Sequence, residues 1–176
     1  MRRGGLIFLV LMLFPISGFC GEGFSFKGIR TGDDYESLAT KFGKCTGGKN
    51  PFYTTDECLV GKDTIAGVPA TILLEFYGGK LAWISVHFNS DDFSTIFSAL
   101  RSKYGNGKIK ENFLQNRMGA TFKNIIVTWE NQKDEMSLEK YAGDFNSSKF
   151  KIMSHSAKKE FERRFNEDRK KKIKDL

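Results

Sequence analysis

The chain has 176 residues, 28 Lys and Arg against 21 Asp and Glu, and a formal net charge of +7. That length supports a real hydrophobic core in one domain or two small repeats. Two histidines and three cysteines leave almost nothing from which to build a metal centre.

The N-terminus, "MRRGGLIFLVLMLFPISGFC", sets two arginines before an apolar run from Leu6 to Phe14, then a proline and small residues. That order is a secretory signal, expected over residues 1–20, and the run is too short to span a bilayer, which takes about 20 apolar residues. Phe19 stands where a lipoprotein signal carries a small residue, so a periplasmic protein is expected in preference to one anchored through a lipidated Cys20. With Cys20 removed, Cys45 and Cys58 remain, and an even count in an oxidising compartment reads as a disulfide. A bridge closing a loop of that length stabilises a fold by roughly 3 kcal/mol in the chain-entropy picture.

The stretch "GKCTGGKN" has the spacing G-x-x-x-x-G-K of a phosphate-binding loop at Gly43, Gly48 and Lys49, but Asn50 replaces the Ser or Thr and Pro51 follows. It also follows a helix and carries a half-cystine. Nucleotide binding is therefore rejected, and the glycines are read as a turn leading into the bridged loop.

From Asp33 the sequence reads "DDYESLATKFG" and from Asp91 "DDFSTIFSALRSKYG". Tyr35, Leu38, Ala39 and Phe42 match Phe93, Ile96, Phe97 and Leu100 as two i, i+3, i+4, i+7 stripes. The spacing predicts two amphipathic helices, each capped by paired aspartates and each stopped by a left-handed glycine, Gly43 and Gly105. A hairpin follows each. "ATILLEFYGGKLAWISVHF" turns at Gly78 and Gly79, with Ile72, Leu74 and Phe76 on one face and Ala82, Ile84, Val86 and Phe88 on the matching face of the return strand. That leaves His87 with Leu81, Trp83 and Ser85. "NIIVTWENQKDEMSLEKY" turns at Asn131 to Asp134, and "KFKIMS" adds a short strand with Phe150 and Ile152 on one side.

These elements predict an α+β fold: an antiparallel sheet covered on one face by helices, in a domain spanning 21–155, with two helix-plus-hairpin repeats at 31–89 and 90–155. The layout and the Asp-Asp-aromatic helix starts resemble small exported bacterial domains of the β-lactamase-inhibitor-protein and outer-membrane-assembly small-lipoprotein kind. The paired-cysteine loop before "TIAGVPA" and the helix ending "KYG" are similar to a further set of small exported bacterial proteins. The resemblance implies a binding domain without catalysis that acts on another envelope protein.

Residues 156–176 hold nine basic and five acidic residues, against 17 and 16 in residues 21–155, so most of the positive surplus lies in the tail. Ala157, Phe161 and Phe165 mark a helical stripe there, predicting a C-terminal helix that packs in its first half. Export excludes nucleic acid as a partner, and membrane contact is expected only through a lipidated Cys20 or through the basic tail on anionic lipid.

No metal-ligand spacing, nucleophile elbow or converging carboxylate pair is present, so neither cofactor, metal nor enzymatic activity is expected. The candidate binding surface is Phe52 and Tyr53 in the bridged loop, Trp83 on the sheet, and Phe161 and Phe165 on the tail. The reading is a non-catalytic periplasmic protein-binding or accessory protein of the envelope, of the inhibitor or immunity kind. The competing reading is a lipid- or glycan-binding module on the sheet face, with a pocket lined by Trp83 or Trp129.

Overall fold

The computed structural model describes residues 23–45 and 57–174. Residues 1–20, read above as a secretory signal and including Cys20, lie outside these, as do Phe52 and Tyr53. In chain order the elements are β1 (Ser25–Phe26), β2 (Ile29–Arg30), α1 (Tyr35–Ala39), β3 (Gly43–Lys44), β4 (Glu57–Ile65), β5 (Val68–Tyr77) and β6 (Lys80–Asn89). A 3-10 turn (Ser90–Asp92) leads to α2 (Phe93–Tyr104), β7 (Lys108–Gln115), β8 (Thr121–Glu130), β9 (Asp134–Glu139), β10 (Ser147–Ser154) and α3 (His155–Lys174).

Alternation of side chains along the strands builds the main sheet. Its order is β3-β4-β5-β6-β10-β9-β8-β7, and every pairing is antiparallel. Each of α1 and α2 is thus followed by a four-stranded meander, β3–β6 and β7–β10, and the pairing of β6 with β10 joins the two at the centre. One face carries Ile72, Leu74, Phe76, Ile84, Val86, Val127, Met136, Leu138, Phe150 and Ile152, all buried against Tyr35 and Leu38 of α1 and Phe93, Ile96 and Leu100 of α2. Full burial of each such aliphatic side chain stabilises by about 1.5–3 kcal/mol relative to exposure. A separate, smaller cluster of Ala82, Trp83 and Ala157, with Tyr77, Met153 and Phe161, seats α3 on the other face.

The hairpin turn at Gly78–Gly79 has positive φ at both residues, the geometry that two-residue type I′ turns require and that glycine adopts without strain. Cys45 and Cys58 are disulfide-bonded with Cα atoms 5.6 Å apart, beside the β3–β4 pairing at one edge of the sheet.

Several expectations are corrected. The first helix is only five residues long, and Gly43 enters β3 instead of capping it, because the chain turns at Thr40–Phe42 to reach the sheet edge. Gly105 does end α2, with φ 78°. The paired aspartates do not cap. Asp33 accepts from the Arg30 N–H at 2.9 Å, Asp34 bonds the Lys80 ammonium at 2.6 Å, and Asn89 caps the 3-10 turn by accepting from Asp91 N–H. In β6 the register shifts: Glu75 opposes Trp83 and Phe76 opposes Leu81, leaving Ala82 as an extra residue. Leu81 therefore turns into the main core, and Ala82 joins Trp83 under α3.

The β1–β2 hairpin is pinned to the body through a carboxyl group. Asp134, 1% exposed, accepts from the Phe24 N–H at 3.0 Å and from the Thr31 hydroxyl at 2.6 Å. A Cβ at Gly23 would lie 2.2 Å from Asp134 Oδ2, so the pin needs glycine there. Asp134→Ala leaves the buried Phe24 N–H without an acceptor, and we expect a loss of about 2–3 kcal/mol in denaturant unfolding. Hydrogen exchange should accelerate across residues 24–31 more than in β6, and unchanged exchange there would refute the pin.

Candidate functional site

Two surfaces stand out from the packed body. The first is the sheet face on the α3 side. The register places His87, Lys149 and Glu139 in one row across β6, β10 and β9, and Ser85, Lys151 and Ser137 in the next. Glu75 and Trp83 pair in the row beside these. Glu75 is 4% exposed and its carboxylate accepts from the Trp83 indole N–H. Burial pushes the Glu75 carboxyl up to about 7, against the pull of Lys151 and Lys149. Burial also brings Lys151 down to about 8, helped by the like charge of Lys149 and opposed by Glu75. The Lys151 ammonium lies 4.8 Å over the Trp83 ring centre, a cation–π contact. His87, half-buried, is lowered by desolvation first and by Lys149 second.

The second surface is the β7–β8 hairpin. β9 pairs with β8 only over Ile126–Glu130; beyond it this hairpin, called the arm below, runs on beside the segment that follows β9, where the Lys140 N–H donates to the Ile125 carbonyl at 2.9 Å and the Tyr141 N–H to Oδ1 of the buried Asn124 at 3.0 Å. Its turn end leans on an aromatic cluster, with Phe122 and Phe145 ring centres 4.5 Å apart and Tyr141 and Phe145 5.5 Å apart. Its tip is fixed by Asn116, whose Oδ1 accepts from the N–H groups of Met118 at 3.0 Å and Ala120 at 2.9 Å. Among the described residues four large hydrophobic side chains are exposed, and three lie on this hairpin: Ile109 at 58%, Phe113 at 71% and Met118 at 90%. β7 is also the terminal strand of the sheet, so one of its backbone edges has no neighbouring strand among the described residues.

The sequence-predicted surface is divided by the structure. Trp83 is 1% exposed, held edge-on between Tyr77 at 5.5 Å and Phe161 at 6.0 Å. Phe161 is the half-buried anchor of α3, whereas Phe165 stacks on it and stays exposed. Cys45 and Cys58 form a bridge away from these residues, at the β3–β4 edge. Trp129 borders a cleft of about 790 Å³ at the end of the sheet with Tyr104, Lys108 and Glu130, its indole N–H donating to the Gly105 carbonyl. Among the described residues no group of three or more His, Cys, Asp or Glu stands close enough to hold a metal, and no helix is long and apolar enough to cross a membrane.

Sequence reasoning missed the hairpin arm and the polar rows. The signals were present: "KIKENFLQ" places Ile109 and Phe113 on one side of a strand, and Glu75 is the lone acid in the apolar run "TILLEFY". Neither signal states exposure. Compared with family models, with curated proteins and with solved structures, the chain matches none.

Because the folded Glu75 carboxyl titrates near 7 instead of 4.5, its contribution to stability is full below pH 4.5 and is lost as the pH rises through 7. His87, with its lowered value, acts in the opposite direction as its own range is crossed, so a difference measurement is needed. Relative to the wild type, Glu75→Gln should gain stability between pH 4.5 and 8 by on the order of 3 kcal/mol. Parallel denaturation curves for the two proteins across that window would refute the assignment.

Proposed function

We propose that this chain is an exported, non-catalytic binding protein of the cell envelope, acting on another envelope or exported protein as an accessory factor or inhibitor. The carrying observation is the β7–β8 arm, with Ile109, Phe113 and Met118 exposed together on a braced hairpin. Exposed apolar side chains gathered on one element are unfavourable in water and mark interaction surfaces. The Asn116 turn holds Met118 in place before any contact, which reduces the ordering entropy of binding.

Electrostatics narrows the partner. Lys108, Lys110 and Arg117 take no ion pair among the described residues, whereas Lys123 is neutralised by Glu111 at 2.7 Å. The arm is therefore basic around its apolar side chains and fits an acidic protein surface with a hydrophobic slot. The free edge of β7 allows that partner to add a strand to the sheet.

Support for export comes from the signal-like residues 1–20 and from the Cys45–Cys58 bridge, which suits an oxidising compartment. Natively produced protein should lack the first twenty or so residues and resist alkylation at both cysteines until reduced. Mass spectrometry finding Met1 to Phe19 attached and both thiols free would count against export.

A photo-crosslinker at position 113 should trap one envelope protein reproducibly, while one at Lys62, on the opposite half of the sheet, should trap nothing. The triple variant Ile109→Ser, Phe113→Ser, Met118→Ser should lower affinity for the trapped protein at least 100-fold with little change in melting temperature, since all three side chains are mostly exposed. Equal affinity of wild type and triple variant would end the proposal.

A further inference from the structure

We propose that the α3-side face of the sheet carries an oxyanion site, independent of the β7–β8 arm, in which Lys149, Lys151 and His87 take a phosphate group with the hydroxyls of Ser85 and Ser137 beside them. The register fixes the constellation. Val86, Phe150 and Leu138 fill the main core from one row, and Ile84, Ile152 and Met136 fill it from another. Alternation therefore sends His87, Lys149, Ser85, Lys151 and Ser137 to the opposite face. Neighbouring strands stand about 4.8 Å apart and like-facing residues about 7 Å apart, so flexible ammonium groups on these positions can converge on one tetrahedral anion.

The lysines differ from others in the molecule. Lys27, Lys80, Lys123 and Lys158 each meet a carboxylate within 2.8 Å. Lys149 and Lys151 take neither an ion pair nor a hydrogen bond among the described residues, and nor does His87. All three are half-buried. An ordinary surface lysine packs its stem and leaves its ammonium in water. Here the Lys151 ammonium lies over an indole, and burial lowers its affinity for a proton.

The nearby acids do not answer this charge. Glu75 is engaged by the Trp83 indole and, titrating near 7, carries only part of its charge at neutral pH. Glu135 is taken by Lys158 at 2.8 Å. Glu139, opposite Lys149, accepts from the Asn124 amide at 3.3 Å and makes no ion pair with Lys149, although its negative charge borders the site. Two like-charged ammonium groups, Lys149 and Lys151, stand two residues apart on one strand face, half-buried and without an ion pair among the described residues, beside an imidazole that burial and Lys149 keep from protonating; a bound dianion relieves the repulsion between the two lysines and accepts an N–H from His87.

The shared chemistry is a phosphate monoester or free phosphate, and two arms separate the sources. In the first, inorganic phosphate is titrated into the purified protein at constant ionic strength while NMR follows the His87 ring and the two indole N–H signals. Saturable shifts are expected at His87 and Trp83, with a Kd below 1 mM on the scale of ordinary charge-assisted sites, and none at Trp129. In the second, co-sedimentation is measured with vesicles of phosphatidylcholine alone and with vesicles containing phosphatidic acid. Retention only by the latter assigns a lipid headgroup as the source, and no retention with phosphate shifts present assigns free phosphate.

Lys149→Gln and Lys151→Gln should each weaken binding at least tenfold, whereas Lys62→Gln on β4 should not. Absence of saturable shifts together with absence of selective vesicle binding overturns the proposal. So does binding that survives the Lys149→Gln, Lys151→Gln double variant. Because the wild-type titration alone can overturn it, the test holds even if that double variant does not fold.

Discussion

The pairing of β6 with β10 is the constraint on which the rest depends. It joins the meander β3-β4-β5-β6 to the meander β10-β9-β8-β7, so that both helices lie on one continuous eight-stranded layer. Its register sets Val86 opposite Phe150 and Ile84 opposite Ile152, which closes the main core across the seam. The same register sets His87 opposite Lys149 and Ser85 opposite Lys151 on the reverse face. A slip by one residue would send every one of these side chains to the wrong side. Burial of the apolar rows therefore fixes the polar rows, and the α3-side chemistry is a by-product of core packing as much as a separate design.

Much of the sheet could be read from alternation. Ile72, Leu74 and Phe76, then Ile84, Val86 and Phe88, then Val127 and Trp129, then Phe150 and Ile152 all face the core as their period predicts. The paired glycines at 78 and 79 located a turn for a reason that depends only on backbone sterics. The disulfide followed from the two cysteines left once Cys20 was set aside with the expected signal.

The rest was not legible, for physical reasons. A bulge inserts one residue without changing composition, so Leu81 and Ala82 exchanged faces unseen. Capping by Asn89 in place of Asp91 depends on a local turn, and any of three neighbouring polar side chains satisfies the same pattern. β4 and β7 carry weak alternation because both lie near sheet edges, where a strand has less to bury. Exposure at Phe113 and Met118 is a tertiary property, since it depends on β9 ending where it does. Desolvation at Glu75 and Lys151 likewise exists only once α3 and the neighbouring strands are assembled.

The extra residue in β6 also bears on how the C-terminal helix is attached. Ala82 stands beside Trp83 because of that insertion, and two alanines, Ala82 and Ala157, let helix and sheet approach closely around the indole. The floor under α3 is otherwise regular sheet, made by Tyr77, Trp83 and Met153, and the inserted alanine widens it by one small side chain. A stutter of one residue in a strand thus serves as docking space, because a methyl group at position 82 leaves room for the helix that a larger side chain would fill.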